Sequence, residues 1–360
     1  MSETLRDFFI IVASELQEEC LRELDEVLKY CVDRHGQSGK FQFEIKSLKG
    51  GIHLSAPFEI GLQLNFFMRL PTRNLLRVGR FRAKDFPTLF NKISSLHELK
   101  NFGRFVYSVE SSTHESRLTI RHRIEETTLA ALEKLGVCVP KGESSSAQKP
   151  MGIWVRIDSD EVTVSLDTSG EILHKRGWGE MRTQAPLRSN FAAFFLRRLC
   201  SGFSPEELAK INLIDPCCGS GTFLWEAVTG SNLLNRRHFA FLDFNNCPKI
   251  LRSPSFFKNI QNVKSNEFAS LRGFDVSDEA VEVALKIRSS QSEFGQIQIA
   301  KRDLFDPSNQ HGLENAQNWV IANVPYGVRL DAFDVQKAYE VLRSHWRPQR
   351  MLLVMSHEQG

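Results

Sequence analysis

Leu213-Ile214-Asp215-Pro216-Cys217-Cys218-Gly219-Ser220-Gly221-Thr222-Phe223 is the stretch whose reading decides the fold. The apolar run Ile211–Ile214 delivers an acid at its end. Two glycines then let the backbone turn tightly, and apolar residues resume at helical spacing after Thr222. Strand, tight turn and helix start, in that order, form the opening of a βαβ unit. The free amides of such a helix start favour an anion such as a carboxylate. The string is not a phosphate-binding GxxxxGK[ST], since no Lys follows. Nor is it a full GxGxxG, because Leu224 occupies the third glycine position. A bare Gly-x-Gly serves a structural strand–helix turn equally well; the longer string D-P-x-C-G-S-G-T is more specific.

Downstream the pattern repeats: Leu271–Phe274 with a helix from Asp278, Ile297–Ile299, Trp319–Ala322, a helix over Val335–Ser344, and Met351–Met355. Repeated strand–turn–helix units predict a doubly wound α/β domain. Residues 231–270 break the alternation and read as an insertion. Upstream, short strands and helices alternate without that regularity. Strands are expected at Phe8–Ala13, Phe41–Ile45, Asn74–Phe81, Phe105–Glu110, Gly152–Ile157 and Glu161–Leu166. Helices are expected over Glu15–Tyr30, Pro57–Met68, Pro87–Leu96 and Glu125–Leu135. Arg34–Lys40 reads as a turn, and residues 140–150, rich in Ser, Gly, Pro and Lys, as a flexible loop. These are the marks of small α+β units.

A chain of 360 residues has room for two domains at about 100–200 residues each. With 41% hydrophobic and 25% charged residues it has a globular composition, neither disordered nor fibrous. No apolar run approaches the roughly 20 residues of a membrane-spanning helix, and the N-terminus lacks the pattern of a signal peptide. Seven scattered cysteines, of which Cys217 and Cys218 alone adjoin, form neither a disulfide framework nor a CxxC metal pattern. A reducing cytoplasm, with no membrane and no metal, is the expectation. The net charge of +3 says little, but residues 69–123 carry twelve Lys/Arg against four Asp/Glu. Such a basic stretch suits a polyanion, although charge runs are most often solvated surface.

Two further strand ends carry chemistry. Gly273-Phe274-Asp275 ends a strand with a carboxylate, which can accept from both hydroxyls of a ribose, and Asp303 follows the next strand, where it can accept from an adenine amine. The fourth strand runs into Asn323-Val324-Pro325-Tyr326-Gly327. An exocyclic amine on a base is a poor nucleophile, because its lone pair is delocalised into the ring. The Asn323 side-chain oxygen and the Val324 carbonyl supply two acceptors that can aim the lone pair at a methyl donor. Pro325 stiffens the loop, and Tyr326 can stack on an extruded base.

These strings resemble the THUMP-domain RNA methyltransferases, class I S-adenosylmethionine enzymes that make N2-methylguanosine in ribosomal or transfer RNA. The resemblance is carried by DPCCGSGTFLWEA (215–227) and NVPYG (323–327), with LHKRGWGEMRTQAPLRSNFAAFFLRRL (173–199) ahead of them. GGIHL (50–54), RNLLRVGRFRAKDFPTLFNKI (73–93) and DTSGEILHKRGW (167–178) extend it over nearly the whole chain. It implies an α/β fold: a Rossmann-like methyltransferase domain over 189–360, preceded by a smaller α+β region. That region comprises a ferredoxin-like domain over 1–60, a THUMP RNA-binding domain over 61–168 and a linker over 169–188. It further implies that Asp215, Pro216, Cys217, Gly219, Ser220, Gly221 and Thr222 hold the methionine part of S-adenosylmethionine, Asp275 the ribose and Asp303 the adenine. Asn323, Val324, Pro325 and Tyr326 would handle the target guanine. Arg73, Arg77, Arg80, Arg82, Lys84, Arg121 and Arg123 would contact RNA phosphates. Val324 departs from the family pattern, which has proline there.

The expected partner is RNA, ribosomal slightly favoured over transfer, acted on by a monomer. Two other readings stand beside it. The Asn-x-Pro-Tyr loop is also similar to those of DNA adenine and protein glutamine methyltransferases, which lack the N-terminal half. The other is an RNA-binding or assembly factor with a vestigial catalytic domain, for which Val324 is the argument.

Overall fold

The computed structural model describes residues 5–34, 42–139, 149–176, 187–229, 237–261, 268–306, 317–324, 335–346 and 348–354. The chain divides into two compact units, residues 1–173 with 237–260, and residues 174–236 with 261–360.

The first unit is built on one seven-stranded sheet. Its strands are β1 (Leu5–Ile11), β2 (Glu44–Leu48), β3 (Gly51–Pro57), β4 (Arg73–Arg82), β5 (Tyr107–His114), β6 (Met151–Asp158) and β7 (Glu161–Asp167). They lie in the order β2-β3-β1-β4-β7-β6-β5, with only β5 and β6 parallel. Helices α1 (Gln17–Arg34), α2 (Phe58–Phe67), α3 (Phe86–Ser94) and α4 (Arg121–Leu135) accompany it. On α1 the apolar stripe read from the sequence, including Cys20, Leu24, Val27 and Leu28, is buried. Strand β3 was not expected: all seven of its residues are buried, so the in–out alternation that marks a half-exposed strand is missing. The 60/61 boundary expected between a ferredoxin-like and a THUMP domain falls inside α2, and β1 and β4 pair directly across it.

Within residues 231–270, read as an insertion in the α/β domain, residues 237–260 belong to this first unit. Their phenylalanines explain why. The Phe66 ring lies 5.1 Å from Phe239, 5.3 Å from Phe241 and 5.4 Å from Phe256, and Phe102 lies 5.0 Å from Phe244. Each such ring buried contributes about 1.5–3 kcal/mol, more than a short segment recovers by staying in solvent. Arg237 adds donors to the carbonyls of Ile172, at 2.8 Å, and Ser169, at 3.1 Å. The start of helix α8 (Pro254–Gln261) closes this segment.

The second unit is a parallel sheet in the order β10-β9-β8-β11-β12. Its strands are β8 (Asn212–Asp215), β9 (Ser270–Asp275), β10 (Ile297–Lys301), β11 (Asn318–Asn323) and β12 (Arg350–Val354). With it are α5 (Ser189–Cys200), α6 (Pro205–Leu208), α7 (Thr222–Thr229), α9 (Asp278–Ser289) and α10 (Val335–Val341). This is the doubly wound α/β arrangement expected. Its core is aromatic: Trp225 lies 4.6 Å from Phe294, and Trp319 4.7 Å from Phe203. From β8 the chain proceeds through β9 to β10 on one side, then returns to place β11 on the other side of β8. That reversal is a topological switch point, where ligands of open α/β sheets sit.

Candidate active site at the carboxyl edge of the parallel sheet

Because all five strands of the second unit run parallel, their carboxyl ends share one edge. Along it, following the strand order, stand Asp303 beyond β10, Asp275 at the end of β9, the Asp215–Thr222 loop after β8, and Asn323 at the end of β11. Of the residues singled out in the sequence, Asp215 to Thr222, Asp275, Asp303, Asn323 and Val324 are thus brought to one edge of one sheet.

The loop after β8 is held by short hydrogen bonds. The Gly221 amide donates to the Cys218 carbonyl at 2.7 Å, and the Cys218 amide to the Phe274 carbonyl at 2.8 Å. Gly219 (φ +53°) and Gly221 (φ +86°) occupy the left-handed region, where a side chain is strained. A Cβ on Gly221 would also stand 2.6 Å from the Trp225 indole. The Trp225 Nε1 donates in turn to the Ser220 carbonyl at 2.5 Å. The loop therefore turns on two glycines and is braced by the first turn of α7. Pro216 and Ser220 are buried within it, while Thr222 opens the helix.

Two carboxylates organise the site. Asp275 accepts from the Gly219 amide at 2.8 Å through Oδ2 and from the Ser277 amide at 2.9 Å through Oδ1. It ties the glycine loop to the start of α9, whose first turn Ser277 caps. Asp215 is fully buried and accepts from the Cys217 amide at 3.2 Å. Burial first, and the neighbouring Asp275 carboxylate second, push its carboxyl well above the usual range. Asp303 is exposed and accepts from the Phe305 amide at 2.9 Å, closing a turn beside the buried Leu304. The Cys217 and Cys218 thiols are both pushed up by burial and by these carboxylates, so they remain neutral packing groups rather than nucleophiles. No cluster able to hold a metal is present among the described residues.

The raised carboxyl of Asp215 has a stability consequence. The folded state holds a proton that the unfolded chain releases above about pH 3.9, so stability falls as pH rises from there toward the raised value. Asp215→Asn keeps an acceptor for the Cys217 amide and removes the buried charge. The ligand-free variant is expected to melt about 2–4 °C higher at pH 8, the size of a ~1 kcal/mol stabilisation, with a smaller gain at pH 5. Equal or lower melting at both values, by calorimetry, contradicts this reading.

Asn323 is half-buried at the end of β11, and Val324 is buried. The Val324 amide donates to the Val354 carbonyl at 3.1 Å, continuing the pairing of β11 with β12. Proline could not make that bond; a valine here is held by the sheet instead. Pro325 and Tyr326 lie outside the described residues.

The candidate RNA contacts of the first unit sort into three groups. Arg73 is bound to the buried Asp167 and donates to the Gly170 carbonyl at 2.6 Å, and Arg80 is bidentate to Glu161 at 2.8–2.9 Å. Arg77 lies over the Phe9 ring, 3.0 Å from His53 Nδ1, on the wall of a basin of about 770 Å³ shared with Lys46 and Arg156. Arg82, Lys84, Arg121 and Arg123 are exposed, and Arg123 lies 4.2 Å over the ring of Phe86, two residues beyond Lys84. Sequence reasoning missed Arg176 and Glu226, a fully buried ion pair whose acid lies on α7, the helix that follows the glycine loop; no motif spacing marks a pair 50 residues apart.

Residues 176–349 match the family model described as RMKL-like, methyltransferase domain. The chain is 26% identical, over 94% of its length, to the ribosomal RNA large subunit methyltransferase K/L of Methylococcus capsulatus. It covers 44% of that protein and spans less than half the length of the curated relatives it matches. Among solved structures it resembles a protein of Clostridium difficile described as a possible methylase, at TM-score 0.72 and 23% identity, over 99% of this chain and 90% of that one. It also resembles SMU.472, solved in complex with SAH, at TM-score 0.70 and 21% identity, over 97% and 90% of the two chains. The strand-end carboxylates, the glycine loop and Asn323, set along one sheet edge, all lie within the span 176–349 that matches the RMKL-like methyltransferase domain.

Proposed function

We propose that the chain is an S-adenosylmethionine-dependent RNA methyltransferase that forms N2-methylguanosine in structured RNA, ribosomal RNA ahead of transfer RNA. One observation carries the reading: the order Asp303, Asp275, Asp215–Thr222 loop, Asn323 along a single sheet edge. That order follows a nucleoside cofactor from adenine through ribose to methionine, and ends at the amine it serves. The residues present fit the cofactor. The loop amides at the start of α7 suit its carboxylate, and the Asp275 oxygens suit its ribose hydroxyls; the ammonium, set beside the buried Asp215, would favour the ionised form of that carboxyl. Gly219 and Gly221, both at positive φ, let the loop make its tight turn there.

When bound, S-adenosylmethionine supplies an electrophilic methyl group on sulfonium. Asn323 accepts from the guanine amine and aims its lone pair along the line of attack. The Val324 carbonyl, fixed by the pairing of its own residue with Val354, offers the second acceptor. Pro325 and Tyr326 are assigned the rest of the base pocket. Transfer would form the N–C bond as the S–C bond breaks, leaving S-adenosylhomocysteine, and the cationic amine would then give its proton to water, so no strong base is needed. Positioning and electrostatics carry the rate.

The first unit supplies the RNA surface, with a ferredoxin-like portion followed by a THUMP portion as its assignment. Arg82, Lys84, Arg121 and Arg123 are its exposed phosphate contacts, whereas Arg73 and Arg80 are engaged within the unit. Replacing those four exposed residues by glutamate is expected to weaken RNA binding at least about tenfold and to flatten its salt dependence. Calorimetric binding of S-adenosylhomocysteine should stay unchanged. RNA affinity and salt slope equal to wild type would remove this face from the interface. The protein is assigned to the cytoplasm.

The deciding experiment is radiolabelled methyl transfer from S-adenosylmethionine to separate pools of unmodified ribosomal RNA, transfer RNA, DNA and protein, followed by mass spectrometry of the labelled nucleosides and amino acids. N2-methylguanosine in the ribosomal pool is expected. Label in DNA adenine or protein glutamine, with none in RNA, overturns the substrate class. Bound cofactor and RNA with no label overturns the enzyme.

A further inference from the structure

Arg176 and Glu226 are both fully buried, with Nε of the first 3.0 Å from Oε1 of the second. Arg176 lies near the start of the second unit, ahead of α5, and Glu226 lies on α7, one helical turn beyond Thr222. Removing two charges from water costs more than their attraction returns unless the geometry is good. An apolar pair of the same volume is often at least as stable. Stability alone therefore does not explain charges at this place. What an ion pair adds is direction: an N–H aimed at a carboxylate selects one rotation of a helix against one register of its neighbour.

The helix in question is the one that presents the glycine loop. Two braces leave its first turns on adjacent residues. Trp225 donates to the Ser220 carbonyl and fills the space beside Gly221. Glu226 holds Arg176. A slip or rotation of α7 would displace the loop and break the ion pair together.

We propose that Arg176 and Glu226 form a positioning pair. Arg176, held by Glu226, sets the rotation of α7, and α7 sets the Gly219–Thr222 amides in the arrangement that receives the carboxylate end of the cofactor. The inference rests on the reading of that loop as the cofactor site. Neither side chain touches the cofactor; both act through the loop.

The test uses the full chain and the double variant R176M/E226L, which keeps the burial and removes the charges. Its melting temperature is expected within about 3 °C of wild type, because a buried apolar pair replaces the ion pair without a penalty. Its affinity for S-adenosylhomocysteine by calorimetry is expected to fall about tenfold. Amide exchange at Gly219–Thr222 should quicken by a similar factor while β8 stays protected. In turnover, KM for S-adenosylmethionine should rise while kcat changes less than about threefold. Wild-type affinity with wild-type loop exchange overturns the proposal and leaves the pair as packing. Should R176M/E226L fail to fold, Glu226→Gln and its loop exchange decide in the same way. If S-adenosylhomocysteine binds neither protein, the cofactor reading fails. The positioning role is then decided by exchange alone: loop amides quickened in the variant uphold it, unchanged ones end it.

Discussion

Asn323→Ala is expected to lower methyl transfer to RNA by at least about 10²–10³-fold, the usual cost of removing one preorganised hydrogen-bonding group from the reacting centre. Affinity for S-adenosylhomocysteine should change by less than about twofold, because Asn323 stands on β11, across β8 from Asp275 and Asp303. The argument is one of acceptors. A guanine amine left to itself keeps its lone pair in the ring, and an oxygen accepting its N–H bonds turns the lone pair toward the methyl group. Asn323→Asp keeps an oxygen in place and should retain part of the activity that alanine loses. Its added negative charge would also favour the cationic nitrogen formed during transfer. Single-turnover rates with saturating cofactor measure both variants directly. Alanine turning over as wild type would overturn the acceptor mechanism. Alanine and aspartate equally inactive would show that the neutral amide with its N–H donors, which aspartate lacks, matters more than the acceptor oxygen.

The parts of this molecule legible in the sequence are those where backbone and chemistry coincide. In a parallel sheet every strand ends on the same edge, so an acid after an apolar run, as at Asp215 and Asp275, already reports a place. Two glycines before a helix report a turn, and Gly219 and Gly221 do adopt positive φ. What the sequence concealed depends on partners distant along the chain. Strand β3 is buried throughout and shows no alternation, and its glycine pair, Gly50-Gly51, reads as an ending rather than a hairpin. The phenylalanines of 237–260 read as an interruption of one unit, yet their partners are Phe66 and Phe102 of the other. Charge counting could not separate Arg73, committed to Asp167, from Arg82, which is exposed. Glu226, on an apolar helix, became visible only through Arg176.

Asp275→Ala is expected to weaken S-adenosylhomocysteine binding about 100-fold, since hydrogen bonds to a charged group are worth about 1.5–3 kcal/mol each and more than one is lost. The carboxylate has two roles. It receives the Gly219 and Ser277 amides, which fixes the loop against the start of α9, and its remaining lone pairs face the ribose in the proposed pose. Asp275→Asn keeps one oxygen and turns an NH₂ toward one of the two amides, so it should also lose at least about tenfold in affinity. The two roles can be separated with a ligand whose ribose lacks both hydroxyls. If Asp275 holds the ribose, that ligand binds wild type much more weakly than S-adenosylhomocysteine, while Asp275→Ala binds the two alike. If Asp275 only braces the loop, removing the hydroxyls costs wild type and variant the same factor, and the two losses add. A coupling of about 1 kcal/mol or more between the carboxylate and the hydroxyls supports direct contact. Strict additivity would leave Asp275 as a brace and pass the ribose to another group on the same edge.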